Sequence, residues 1–177
     1  MMNPQEILPL VKRLETNHIA YSLGGSAMLC FLGLVDSVND WDLMVDCPKS
    51  KFIEAIAGYE WNEKESGDKP FASEYRIEIE SLNVDVIGGF AFDVDGSRLE
   101  LPISPIPNVK WHGMHVSSPE VWYVAYHMMG RHEKADLILE YLQTSNEYVN
   151  QDLIKGLLAN NHLTYEIRKG LNILLEA

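Results

Sequence analysis

The sequence predicts an α/β (α+β) protein in two parts, a core over residues 1–116 and a helical subdomain over 117–177. Three observations predict it. Short apolar runs, broken by glycine pairs, alternate with helix-period segments through the first two thirds of the chain. Aspartates recur inside those apolar runs, as in Asp40-Trp41-Asp42-Leu43-Met44-Val45 and Val84-Asp85-Val86-Ile87. From Ser117 the strand signals stop and four helix-period segments follow.

The elements follow in order. Ile7, Leu10, Val11 and Leu14 recur at helical spacing, so residues 4–17 read as an amphipathic helix. Ile19 to Leu23 is a short strand, and Gly24-Gly25 punctuates it. Ala27, Met28, Leu29, Phe31 and Leu32 make an apolar helix that stops near Gly33. Trp41 to Val45 reads as a strand, and Pro48 precedes a helix holding Phe52, Ile53 and Ile56. Residues 60–72, with Gly67 and Pro70, read as an exposed loop. Arg76-Ile77-Glu78-Ile79-Glu80 alternates as a half-buried strand does. Leu82 to Ile87 is the next strand, and Asp95-Gly96 signals a hairpin after Phe90 to Val94. Pro102, Pro105 and Pro107 make 102–108 a rigid connection, and Val109 to Val116 is one more strand. Ser118-Pro119-Glu120 starts the first of the helices expected at 119–130, 132–143, 147–159 and 163–175.

Bulk composition narrows the function. The 177 residues are 46% hydrophobic and 23% charged, as in a soluble globular protein. No stretch approaches the length of a membrane span. The start of the chain lacks a basic segment leading into an apolar one, so no signal peptide is expected. Cys30 and Cys47 are too few for a disulfide framework, which points to a reducing, cytoplasmic setting. A net charge of −12 argues against a protein that tracks long nucleic acid, which needs many Lys and Arg to neutralise phosphates. It suits a cationic acceptor.

The aspartates carry the chemistry. On a strand, Asp40 and Asp42 point to one face, with Trp41 and Leu43 turned away. Two carboxylates that close repel unless a counter-ion sits between them, and Mg²⁺ is held by one or two carboxylates plus substrate phosphates. Asp85, in an otherwise apolar run, needs a partner of its own. Gly24-Gly25-Ser26 would complement them: glycine lets a phosphate approach backbone, the following helix presents free N–H groups, and Ser26 adds a hydroxyl.

An apolar residue, Gly-Gly-Ser, then Asp-x-Asp beginning 14 positions after Ser26, then a third carboxylate, resembles the polymerase-β-like nucleotidyltransferase superfamily. Ser117-Ser118-Pro119-Glu120, a helix, and Gly130-Arg131-His132-Glu133-Lys134 resemble the helical extension of its small bacterial members. These are the lincosamide adenylyltransferase-like and abortive-infection-type toxin groups. The resemblance implies a mixed sheet, a two-metal Mg²⁺ site and an NTP substrate, ATP, whose nucleoside monophosphate passes to a hydroxyl of a small-molecule acceptor. It implies that Asp40, Asp42 and Asp85 are the metal ligands and catalytic residues, with Asp85 serving the catalytic ion or the acceptor's proton. Gly24, Gly25, Ser26, Arg131 and Lys134 become nucleotide-binding candidates. Two alternatives stay open: a toxin-like enzyme acting on protein or RNA ends, and a nucleotide-binding module without turnover. The chain departs from the toxin group at Tyr126, where that group carries Lys, and at Ser37-Val38-Asn39, where related enzymes often carry Arg or Thr. Trp122, Tyr123 and Tyr126 read as core. His112, His115, His127 and His132 form no zinc motif with the cysteines.

Overall fold

The computed structural model describes residues 2–177. Its strands are β1 (Ala20–Leu23), β2 (Trp41–Asp46), β3 (Asn62–Lys64), β4 (Tyr75–Ile79), β5 (Val84–Gly88), β6 (Ala91–Val94), β7 (Ser97–Glu100), β8 (Pro105–Trp111) and β9 (Met114–Ser117). Its helices are α1 (Pro4–Thr16), α2 (Gly25–Phe31), α3 (Lys49–Ala55), α4 (Pro119–Met128), α5 (His132–Ser145), α6 (Gln151–Leu158) and α7 (Tyr165–Glu176). Seven strands form one sheet in the order β3-β4-β5-β2-β1-β9-β8, and β6 and β7 form a separate hairpin. The sheet is mixed. β2 runs parallel to β5 and β1 parallel to β9, while the other pairings are antiparallel.

Strand alternation sorts the side chains into two cores. Trp41, Leu43 and Val45 of β2, with Val84 and Val86 of β5, face the layer of α1 and α3, where Leu10, Leu14 and Phe52 pack. Met44 and Ile87 face the opposite layer, where Met28, Trp122, Tyr126, Ile138, Ile154 and Leu171 pack. Asp42 and Asp85 share that second face, so the C-terminal helices lie over the carboxylates. One apolar cluster thus joins the central strands to the last four helices.

Three elements differ from the sequence reading. The loop expected over 60–72 contains β3, a three-residue edge strand of polar and charged side chains held by the Lys64–Glu78 ion pair at 2.7 Å. Short charged edges carry no hydrophobic period, which is why alternation does not reveal them. The rigid connection over 102–108 is partly β8. Its Pro105 and Pro107 are tolerated because β8 is the sheet's edge and its register is irregular between Pro105 and Lys110. The single strand over 109–116 is a hairpin, turning at His112 (φ 50°) and Gly113 (φ 84°) between paired Trp111 and Met114. Two successive positive φ values are what a two-residue hairpin turn demands.

Glu120, on the first turn of α4, is fully buried. Its Oε1 accepts the Asn150 backbone N–H at 2.6 Å, and Asn150 in turn caps α6 through Leu153 N–H at 3.0 Å. Oε2 has no partner among the described residues. Burial pushes the carboxyl up to about 7, against the lowering effect of the Asn150 N–H. Because the folded value exceeds the ordinary 4.5, the folded state holds its proton more tightly. The stability this adds is complete below about pH 4.5 and is lost as pH rises to about 7. We expect Glu120→Gln to gain on wild type by about 2–3 kcal/mol between pH 4.5 and 8, read from urea unfolding at both pH values. Parallel pH curves for the two proteins would refute this account.

Candidate active site

Asp40, Asp42 and Asp85 line one cavity of about 310 Å³ with Ser26, Arg76, Trp122, Tyr126, Arg131 and Lys134. Parallel register puts Asp42 directly beside Asp85 on β2 and β5. Asp40 is exposed and stands one residue before β2 begins, at the rim. The carboxylates therefore gather on one face, as strand spacing implies, and the wall opposite comes from α4 and the start of α5.

The Gly-Gly-Ser turn has a packing task that the sequence reading does not include. A Cβ on Gly24 would collide with the Trp122 indole, and a Cβ on Gly25 with the Asp42 carboxylate. Gly25 also sits at φ +52°, where L side chains are strained. The glycines thus leave room for Trp122 and for Asp42, which line the cavity. Ser26 accepts the Asn39 backbone N–H at 3.0 Å and donates to the Asp40 carbonyl at 3.2 Å. Its hydroxyl pins the segment that carries Asp40 while the residue lines the cavity. Asn83, at φ 51°, supports that segment from the other side by donating to the Asn39 carbonyl at 2.9 Å.

Electrostatics follow from this crowding. Burial, then the Asp40 and Asp85 carboxylates, push Asp42 up to about 7, while Arg131 and Arg76 pull it down. Asp85 is gripped by Arg76 of β4. Arg76 Nε donates to Oδ1 at 3.3 Å and Nη2 donates to Oδ2, so both oxygens of the carboxylate are engaged. Arg76 is the residue that sequence reasoning missed. Its strand alternation looked like a solvated face, and only the β4–β5 pairing places it next to Asp85.

The C-terminal wall also departs from expectation. Trp122 and Tyr126 are buried, yet they line the cavity as well as filling the core. Among the described residues, Trp122 Nε1 and Tyr126 Oη are buried with no hydrogen-bond partner. Lys134 Nζ stands 5.3 Å from the Tyr126 ring centroid, and Arg131 caps α5. Two cations and two idle donors on one wall suit a ligand rich in oxygen acceptors.

The donor set can be tested against magnesium. Asp40 and the crowded Asp42 fit one hard divalent ion that completes its shell with substrate phosphates. They do not fit the two-ion arrangement that the sequence resemblance implies. Among the described residues, no three His, Cys, Asp or Glu side chains stand close enough to hold a metal ion together. Asp85 is instead committed to Arg76.

The chain has the nucleotidyltransferase fold. A nucleotidyltransferase candidate from Thermotoga maritima superposes with a TM-score of 0.54, covering 81% of this chain and 96% of its own, at 20% identity. The antibiotic-resistance factor ANT(2″)-Ia, crystallised with adenylyl-2″-tobramycin, gives a TM-score of 0.54 over 98% of each chain at 12% identity. Its solution structure gives 0.55, covering 97% of this chain and 94% of its own, at 16% identity. No protein-family model matches the sequence, and no curated protein does.

Gly25 supplies a direct check on the site's construction. Gly25→Ala combines a strained φ with a collision against Asp42, so it should destabilise the fold by about 2–4 kcal/mol. Thermal unfolding of the two proteins measures it. A melting temperature within a degree of wild type would show that the glycine is not needed there.

Proposed function

We propose that the protein is a nucleotidyltransferase that moves a nucleoside monophosphate from ATP to a hydroxyl of a small, cationic acceptor. The observation that carries the reading is the two-walled cavity. Carboxylates of β2 and β5 face Arg131, Lys134 and the unpartnered donors of Trp122 and Tyr126. The Arg131 and Lys134 wall suits the triphosphate. Asp40 and Asp42 would hold a magnesium ion, which when bound neutralises phosphate charge.

The chain's own residues then supply position and proton transfer. The acceptor hydroxyl oxygen bonds to the α-phosphorus as the bond from that phosphorus to the α–β bridging oxygen breaks. Pyrophosphate leaves, and the hydroxyl proton passes to Asp85. Arg76 fixes the plane of that carboxylate, so its remaining lone pairs keep one direction. Such transfer depends on alignment and charge neutralisation more than on covalent chemistry.

A second cavity, of about 870 Å³, lies on the other side of Phe90, which lines both. Asp46, Glu74, Glu100 and Asp152 edge it over apolar Val45, Leu99 and Leu157. Acidic edges beside apolar floor suit an amino-substituted ring compound. The likeness to a factor solved with adenylyl-tobramycin supports an acceptor of that kind.

The test is release of pyrophosphate from ATP with magnesium and a panel of aminoglycosides and related amines. Asp42→Asn should lower that release at least about 100-fold. With a non-hydrolysable ATP analogue at about 100 times its Kd, magnesium should stabilise wild type by about 2.7 kcal/mol and Asp42→Asn much less. An equal gain in both proteins would show that the nucleotide binds elsewhere.

Tyr126 separates binding from folding. Removing an unpartnered buried hydroxyl relieves a cost, so Tyr126→Phe should melt no lower than wild type. If the hydroxyl serves a phosphate oxygen, the same change should weaken the ATP analogue about 5- to 10-fold, by calorimetry. Unaltered affinity would return Tyr126 to a purely structural role.

A further inference from the structure

We infer that Arg76 permanently holds the place of a second divalent ion at Asp85, so that the site takes one metal ion, at Asp40 and Asp42, rather than two. The inference rests on the proposed function and specifies the cation content of the same site.

The geometry begins in the sheet. β4 and β5 are antiparallel, with Glu78 opposite Asp85 and Arg76 opposite Ile87. Arg76 and Glu78 alternate onto the same face as Asp85. Arg76 therefore reaches Asp85 along the diagonal that long side chains span. Its fork engages both carboxylate oxygens, Nε on Oδ1 and Nη2 on Oδ2. Side-chain exposures of 28% for Arg76 and 16% for Asp85 keep bulk water from screening the pair.

A guanidinium differs from a metal ion in one respect that matters here. It stays protonated at every pH a protein survives, and it is tethered to the fold. Asp85 is therefore neutralised before any nucleotide arrives. A divalent ion entering at Asp85 would have to expel the fork or share a poorly hydrated space with its charge. Among the described residues, Asp40, Asp42 and Asp85 are the carboxylates that line the cavity, and Glu78, the neighbour of Asp85 on β4, is paired with Lys64 at 2.7 Å. Asp40 and Asp42 remain, and two carboxylates with phosphate oxygens suffice for one magnesium ion.

The experiment counts ions directly. Crystals of the full chain grown with Mn²⁺ and a non-hydrolysable ATP analogue are measured for anomalous scattering. Wild type should show one Mn²⁺ peak, at Asp40 and Asp42, with Arg76 still on Asp85. Arg76→Met should show a second peak at Asp85. Two peaks in wild type overturn the inference, as does a single peak in both proteins. Analogue in the cavity with no Mn²⁺ at the aspartates overturns it while leaving the nucleotide reading standing. A cavity without analogue at saturating concentration overturns the proposed function, and this inference with it. If Arg76→Met does not fold, the wild-type count decides.

Discussion

Asp42 is a charged group placed at the centre of a sheet, and the structure around it is arranged to make that tolerable. Its strand neighbour in register is another carboxylate, Asp85, and Asp40 lies two residues away. Each of these raises the cost of ionising it. The fold answers with two guanidinium groups, Arg76 from the β4 edge of the cluster and Arg131 from the helical side. It answers also with a glycine, since only a residue without Cβ leaves room for the Asp42 carboxylate beside α2. A one-residue slip of either strand in the β2–β5 pairing would turn that strand's aspartate into the apolar layer of α1 and α3. The register is therefore held by the two cores at once.

Much of this was legible in the residues. The residues Trp41-Asp42-Leu43-Met44-Val45 and Val84-Asp85-Val86-Ile87 are enough to mark two apolar strands that each carry a carboxylate, and the β2–β5 register then sets Asp42 beside Asp85. Helical periodicity located α4 to α7 to within a few residues, because each has an apolar stripe to bury. The fold resemblance extended the pattern to a mixed sheet. What periodicity cannot see is non-local pairing. Arg76 and Glu78 look alike in an alternating strand, and nothing in the sequence says that one of them meets Asp85 while the other meets Lys64. The prolines of β8 and the charges of β3 hid edge strands, whose outer face needs no apolar partner.

The glycines and aromatics show a second limit. Gly24-Gly25-Ser26 has the composition of a phosphate turn, and Trp122 and Tyr126 have that of a core. In the fold they answer each other. Gly24 makes space for Trp122, and the indole and phenol then reach the cavity edge with donors unspent. A side chain can fill a core and still offer one atom to a ligand. Sequence patterns assign residues to one role or the other, and so miss this sharing. Glu120 is a related case. Its place after Ser118-Pro119 marks a helix start, but its carboxylate works 30 residues away, at the Asn150 backbone.

The site's two walls lie far apart in the chain. The carboxylate wall is encoded by residue 85, whereas the cationic wall begins at Trp122 and ends at Lys134. Strand β1 lies between β2 and β9, so one of its long sides stays unpaired until residues 114–117 exist. On a ribosome, which adds about 5–20 residues each second, the clustered aspartates would spend seconds synthesised but uncovered. During that interval an acidic nascent chain would expose an apolar sheet face covered by α2 without the C-terminal helices. The C-terminal helices thus cover a face whose strands are all encoded before them.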